Sequence, residues 1–128
     1  MQNELGKLSV MELEVMRVIW GMAAPVTVSR VLGIFAPQRG WKTSTLSTIM
    51  DRLIGKGYLT KTIQGKANIY TPMLTEEAHK ENETKQFLSS VHKGSVKSFI
   101  AALTGCCDMS AEDIAEIGAW LREKAGDS

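Results

Sequence analysis

The chain has 128 residues, of which 44% are hydrophobic and 23% charged, a balance that suits one ordinary folded domain or two very small ones and excludes a disordered chain. Its net charge of +1 divides unevenly, with +5 on residues 1–73 and −4 on residues 74–128. No run of about 18 apolar residues occurs, so no spanning helix and no membrane partner are expected. The opening MQNELGKLSV lacks the apolar stretch of a secretory signal, which points to the cytoplasm.

Taken in order, Ser9 and Glu12 have capping-box spacing, in which each side chain satisfies an orphan backbone N–H at a helix start. Leu13, Met16, Val18, Ile19 and Trp20 follow as a broad apolar face, and Gly21 supplies the stop. Val26-Thr27-Val28 can pair as a very short strand. Thr27 can also cap a second helix through about Phe35, with Val28, Val31, Leu32 and Phe35 on one side. That helix is expected to end before Pro37, since the residue ahead of a proline avoids the α region. Gln38-Arg39-Gly40 then makes a loop.

The third predicted helix, Thr43 to Lys56, carries more information. Leu46, Ile49, Met50 and Leu53 form one apolar stripe, and Ser44, Ser47, Thr48 and Asp51 fall on the opposite side. Short hydroxyl side chains let a helix backbone approach base edges and can donate or accept in a major groove. Lys42 and Thr43 stand at the N-terminal end, where free N–H groups and the helix dipole favour a phosphate. Arg52 lies to the side, placed for a phosphate or an internal acid. Gly57 closes the helix.

Tyr58–Ile63 and Asn68–Pro72 are rich in β-branched and aromatic residues and read as two strands. Gln64-Gly65-Lys66-Ala67 is expected as a four-residue hairpin loop. Lys61 and Lys66 put positive charge on the hairpin and its tip. Helix followed by hairpin is the outline of a winged helix, with the wing meeting phosphates. Between Arg39 and Lys66 the sequence has six basic residues against the single acid Asp51, the charge footprint of a surface that meets a polyanion.

From Thr75 the texture becomes acidic and helical. Thr75 caps a polar segment to about Val91 whose apolar anchors include Phe87 and Leu88. Val96, Phe99, Ile100 and Leu103 form a second short run. Thr104 to Met109 is expected as a loop, and Ser110 with Asp113 caps a last helix carrying Ile114, Ile117 and Leu121. Residues 74–128 are too few to bury a substantial core alone. Their apolar stripes therefore suggest a two-fold dimer. His79 and His92 are expected at solvent or at that interface.

The fold class is thus mainly α with a small β-hairpin. Residues 1–73 form a winged helix-turn-helix DNA-binding domain and residues 74–128 a helical dimerisation domain. No catalytic motif for a nucleophile, phosphate loop, dinucleotide or zinc hydrolase is present, so no enzyme and no cofactor are expected. No metal site is expected either. Cys106 and Cys107 read as plain reduced thiols, with redox or soft-metal sensing shared across a dimer as the alternative. The rival functional reading is a winged-helix protein-interaction module without DNA readout, which would not require a basic surface.

The chain resembles the penicillinase-repressor family of bacterial regulators, which includes the CopY-type copper repressors. The matching stretches are LSVMELEVMRVIW from Leu8 to Trp20, TLSTIMDRLIGKG from Thr45 to Gly57 and IYTP from Ile69 to Pro72. Looser matches follow at GSVKSF from Gly94 and SAEDIAEI from Ser110. The resemblance implies a homodimeric repressor on an inverted-repeat DNA operator, commonly with TACA and TGTA half-sites. It implies groove contacts by Lys42, Thr43, Ser44, Ser47 and Thr48, a matching family arginine at Arg52, and a wing over Lys61–Asn68. It also implies a sensor protease or other inducer as a partner. There the sequence departs from the family: the Asn-Phe bond cut in staphylococcal repressors aligns with Ala102-Leu103, and the C-x-C pairs of the copper repressors are represented only by Cys106-Cys107.

Overall fold

A computed structural model describes residues 5–126. Six helices and one hairpin follow in the order α1 (Val10–Trp20), α2 (Val28–Arg39), α3 (Thr43–Gly55), β1 (Leu59–Gln64), β2 (Ala67–Pro72), α4 (Glu76–His92), α5 (Val96–Cys106) and α6 (Ala111–Gly126). The chain forms two compact units, Met1–Glu81 and Asn82–Ser128, whose boundary falls inside α4.

In the first unit, α1 begins with the expected capping box: Glu12 N–H donates to Ser9 Oγ at 3.2 Å and Ser9 N–H to Glu12 Oε1 at 2.9 Å. Its buried side is Glu12, Val15, Met16 and Ile19, while Leu13, Val18 and Trp20 are half-buried. Thr27 caps α2 by accepting from Arg30 N–H at 3.2 Å. Contrary to the sequence expectation, α2 runs through Pro37 to Arg39 and ends on Gly40, whose φ is 69°. A helical proline clashes with the carbonyl four residues back and lacks an N–H. Pro37 lies in the final turn, so few helical bonds are affected.

The apolar stripe of α3, namely Leu46, Ile49, Met50 and Leu53, is buried as expected. The helix ends in a paired C-terminal motif: Tyr58 N–H donates to Leu53 O at 2.9 Å and Gly57 N–H to Ile54 O at 3.1 Å. Gly57 adopts φ 91°, and a Cβ there would lie 2.9 Å from Leu5 Cδ2. The turn therefore requires glycine and delivers Tyr58 into the core.

β1 and β2 pair antiparallel from Leu59↔Pro72 to Gln64↔Ala67. The loop is thus two residues, Gly65-Lys66, and not four. Gly65 has φ 64°, and a glycine at the first central position suits a tight hairpin whose twist matches its strands. Val26 adds a third, single-residue rung: Val26 N–H donates to Tyr70 O at 2.9 Å and Tyr70 N–H to Val26 O at 2.8 Å. One core joins these elements through Val15, Met16, Ile19, Phe35, Leu46, Met50, Leu53, Tyr58 and Tyr70. Fully burying such a side chain contributes roughly 1.5–3 kcal/mol before entropy is subtracted.

The first turn of α4 packs on this core. Thr75 caps it by accepting from Ala78 N–H at 3.0 Å, and Trp20 Nε1–H donates to Leu74 O at 2.9 Å. His79 is only 7% exposed. It shares a hydrogen bond with the Tyr58 hydroxyl at 3.3 Å and lies 5.4 Å from the Trp20 ring. It is therefore a core residue, not the solvated or interface one expected; helical periodicity alone did not reveal the aromatic partners that cover it.

The second unit comprises the C-terminal part of α4, then α5 and α6. Lys93 (φ 53°) and Gly94 (φ 81°) turn the chain after α4. Ser95 caps α5, accepting from Ser98 N–H at 3.0 Å. α5 continues through Thr104 to Cys106, so the expected loop starts later, because nothing between Thr104 and Cys106 interrupts the helical bonds. Ser110 and Asp113 cap α6 reciprocally at 2.9 and 3.3 Å. Phe87, His92 and Phe99 make an edge-on aromatic cluster with centroids 5.4 to 6.1 Å apart.

Candidate nucleic-acid interface

With its apolar stripe held in the core, α3 turns outward Thr43, Ser44, Thr45, Thr48, Asp51 and Arg52, all exposed, with Ser47 half-buried. Lys42 is the N-cap and its side chain makes no capping bond. The first-turn amides thus have no side-chain acceptor there and are of the type that takes a phosphate oxygen. The Thr48 hydroxyl donates to Ser44 O at 2.9 Å, which leaves its lone pairs to accept. Two shallow depressions flank the helix. Thr27, Ser29, Thr43, Ser47 and Asn68 contribute to the first, between α2, α3 and the hairpin. Ser9, Thr45, Thr48 and Arg52 contribute to the second. Thr45 was missed from the sequence, although its spacing to Thr48 and Arg52 aligns the three along one edge.

The cations between Arg39 and Lys66 divide into two sets. Lys56 Nζ reaches Glu12 Oε1 at 2.6 Å and Lys7 O at 2.7 Å. Glu12 is 4% exposed. Its burial pushes the carboxyl up, but the Lys56 ammonium and the Ser9 N–H outweigh this and hold it below its ordinary value. Arg39 pairs with Glu14 at 2.7 Å and lies 5.8 Å over the Trp41 ring, which itself stacks on Phe35 at 4.6 Å. These two cations brace the fold, which composition could not distinguish from a ligand-facing charge.

Lys61 stands 4.0 Å from Asp51 of α3, both exposed, a separation at which attraction is weak. Among the described residues, no ion pair engages Lys42, Arg52 or Lys66. Lys66 is on the two-residue hairpin tip. Of the cations between Arg39 and Lys66, those outside ion pairs therefore stand at the start of α3, on its edge and at the wing, while Lys7, Arg17 and Arg30 are exposed elsewhere in the unit.

In the second unit, Ile100, Leu103, Ile114, Ile117 and Leu121 come together with Met109 around an apolar depression of about 190 Å³. Phe87 (46% exposed) joins Phe99 in the aromatic cluster, Leu88 is half-buried and Val96 is exposed. Trp120 is 55% exposed, with the Lys124 ammonium 5.3 Å over its ring. The thiols of Cys106 and Cys107 are exposed and 3.3 Å apart. Their shared hydrogen bond raises the Cys107 thiol above its ordinary value. No described helix is long and apolar enough to cross a membrane.

A family model described as penicillinase repressor matches residues 8–123. The chain belongs to the penicillinase-repressor family. Among relatives of this family, it is 29% identical over 121 residues to the penicillinase repressor of Bacillus licheniformis, covering 94% of each chain. It is 28% identical to the methicillin resistance regulatory protein MecI of Mammaliicoccus sciuri, covering 97% of this chain and all of that one. The solution structure of monomeric Bacillus licheniformis BlaI in complex with the blaP half-operator matches with a TM-score of 0.50 and 32% identity, over 59% of this chain and 92% of that one. The mainly helical fold with its two-stranded hairpin is accordingly a winged helix followed by further helices.

Proposed function

We propose that the chain is a transcriptional repressor that binds an inverted-repeat operator as a homodimer, with α3 in the major groove and the hairpin on the flanking backbone. The observation that carries this reading is the exposed hydroxyl face of α3, bordered by Lys42, Arg52 and Lys66, which no ion pair engages among the described residues. Lys42, Arg52, Lys61 and Lys66 set position through phosphates, while Thr43, Ser44, Ser47 and Thr48 address base edges. The half-operator complex of the related BlaI supports the same use of the winged helix here. One such helix reads few bases, so two half-sites about one helical turn apart are read by two chains. Residues 1–73 supply the reader and residues 74–128 the pairing, through Phe87, Leu88, Val96, Phe99, Ile100, Leu103, Ile114, Ile117 and Leu121. The complex works in the cytoplasm, and a sensor protease or other inducer would act on the pairing helices.

Gel shifts on the promoter upstream of its own gene test this. A salt-sensitive complex is expected. Lys66→Ala should weaken binding to all sequences alike and reduce the salt slope by about 1, whereas Thr48→Ala should relax preference at one base pair by about 1–3 kcal/mol. A complex indifferent to salt and to competitor DNA would favour a protein partner and sink the proposal.

A further inference from the structure

Neighbouring side chains on an α-helix diverge by about 100°, so adjacent thiols do not normally meet. Cys106 and Cys107 meet because the helix ends between them. Cys106 is the last residue of α5, and Cys107 leaves the helical dihedrals for φ −124° and ψ 144°. Its N–H still donates to Leu103 O at 3.0 Å, which fixes where the extended residue starts. Both thiols are exposed, and their Sγ atoms are 3.3 Å apart.

That spacing selects among ligands. With a metal–thiolate bond of about 2.3 Å, a linear S–M–S unit spans about 4.6 Å, a tetrahedral one about 3.8 Å and a right-angled one about 3.3 Å. The observed separation corresponds to the right angle. Zinc would also need further ligands, and no group of three or more His, Cys, Asp or Glu suited to a metal occurs among the described residues. Thiolates prefer soft acceptors, and soft centres bound at near right angles are the pyramidal trivalent metalloids.

We propose that Cys106 and Cys107 form a vicinal-dithiol site that chelates trivalent arsenic or a similar pyramidal metalloid. With arsenite, As(OH)₃, two S–H bonds and two As–OH bonds break, two As–S bonds form and two waters leave. Arsenic stays trivalent and keeps one hydroxyl, so no oxidant or reductant is needed. Cys107 lines an adjoining depression with Thr104, Asp108, Met109, Ser110 and Asp113. Thr104 and Met109 also border the apolar depression of α5 and α6, which puts the bound centre at the edge of that face.

The test uses the full, reduced chain without DNA, titrated with arsenite and read by intact mass and by the number of dye-reactive thiols. One arsenic per chain with loss of both thiols is expected. Cys106→Ser and Cys107→Ser, both at exposed positions, should each lose about 100-fold in affinity, because the second thiolate binds intramolecularly. No arsenic uptake, equal uptake by the serine variants, or one arsenic linking two chains would each overturn the assignment. None of these results depends on whether the chain represses transcription.

Discussion

Thirteen hydrophobic side chains are buried between Val15 and Tyr70, whereas among the described residues of Asn82–Ser128 not one side chain of any kind is buried. The second unit is not poor in apolar residues: Phe87, Val91, Val96, Ile100, Ile114, Ile117, Trp120 and Leu121 are all exposed there. The two units therefore use the same residue types for different ends. In the first, apolar groups close a core within one chain and leave a polar, cationic face outside. In the second, caps at Ser95 and Ser110 and an aromatic cluster define the helices, but the apolar face has no cover within its own unit. Exposed patches of this kind mark interaction surfaces. The contrast motivates the proposed division between a reader and a pairing region.

Three substitutions sharpen the comparison, in falling order of effect. Met50→Ala empties a fully buried site between α3 and the rest of the core, and should cost about 2–5 kcal/mol in denaturant unfolding. A loss under about 1 kcal/mol would mean that the first unit is not close-packed. Glu12→Gln keeps the shape but leaves the half-buried Lys56 ammonium without its carboxylate, for an expected loss of about 1–3 kcal/mol at neutral pH. Because the folded state holds the Glu12 carboxyl below its ordinary value, its contribution is complete above the unfolded value, about 4.3, and fades as pH falls through the lowered folded value. The wild-type advantage over Glu12→Gln should shrink in that acid window and not above it. Ile114→Ser, measured on protein diluted until it is monomeric, should change stability by no more than about 0.5 kcal/mol, as at an ordinary surface position. A large loss there would mean that the second unit does have a core of its own.

Much of the first unit was legible in the sequence because its signals are local. The Ser9–Glu12 box, the Leu46–Leu53 stripe and the two hairpin strands each declare themselves within a few residues, although the loop between the strands is two residues shorter than expected. What was not legible depends on distant partners. Lys56 reads as a surface cation in the sequence, but Glu12, 44 positions earlier, lies beside it. Arg39 likewise pairs with Glu14 of α1 at the surface, and His79 is enclosed by Trp20 and Tyr58. Pro37 predicts a helix stop, yet the final turn of α2 accommodates it. In the candidate interface, the hydroxyl face followed from periodicity, but which cations remain outside ion pairs did not.

The central claim is that the apolar face of the second unit is covered by a second copy of the chain. Sedimentation equilibrium on the full chain and on a fragment ending at Glu81, where the first compact unit closes, tests it directly. The account predicts a dimer for the full chain and a folded monomer for the fragment. A monomeric full chain, or a fragment that still dimerises, would contradict it.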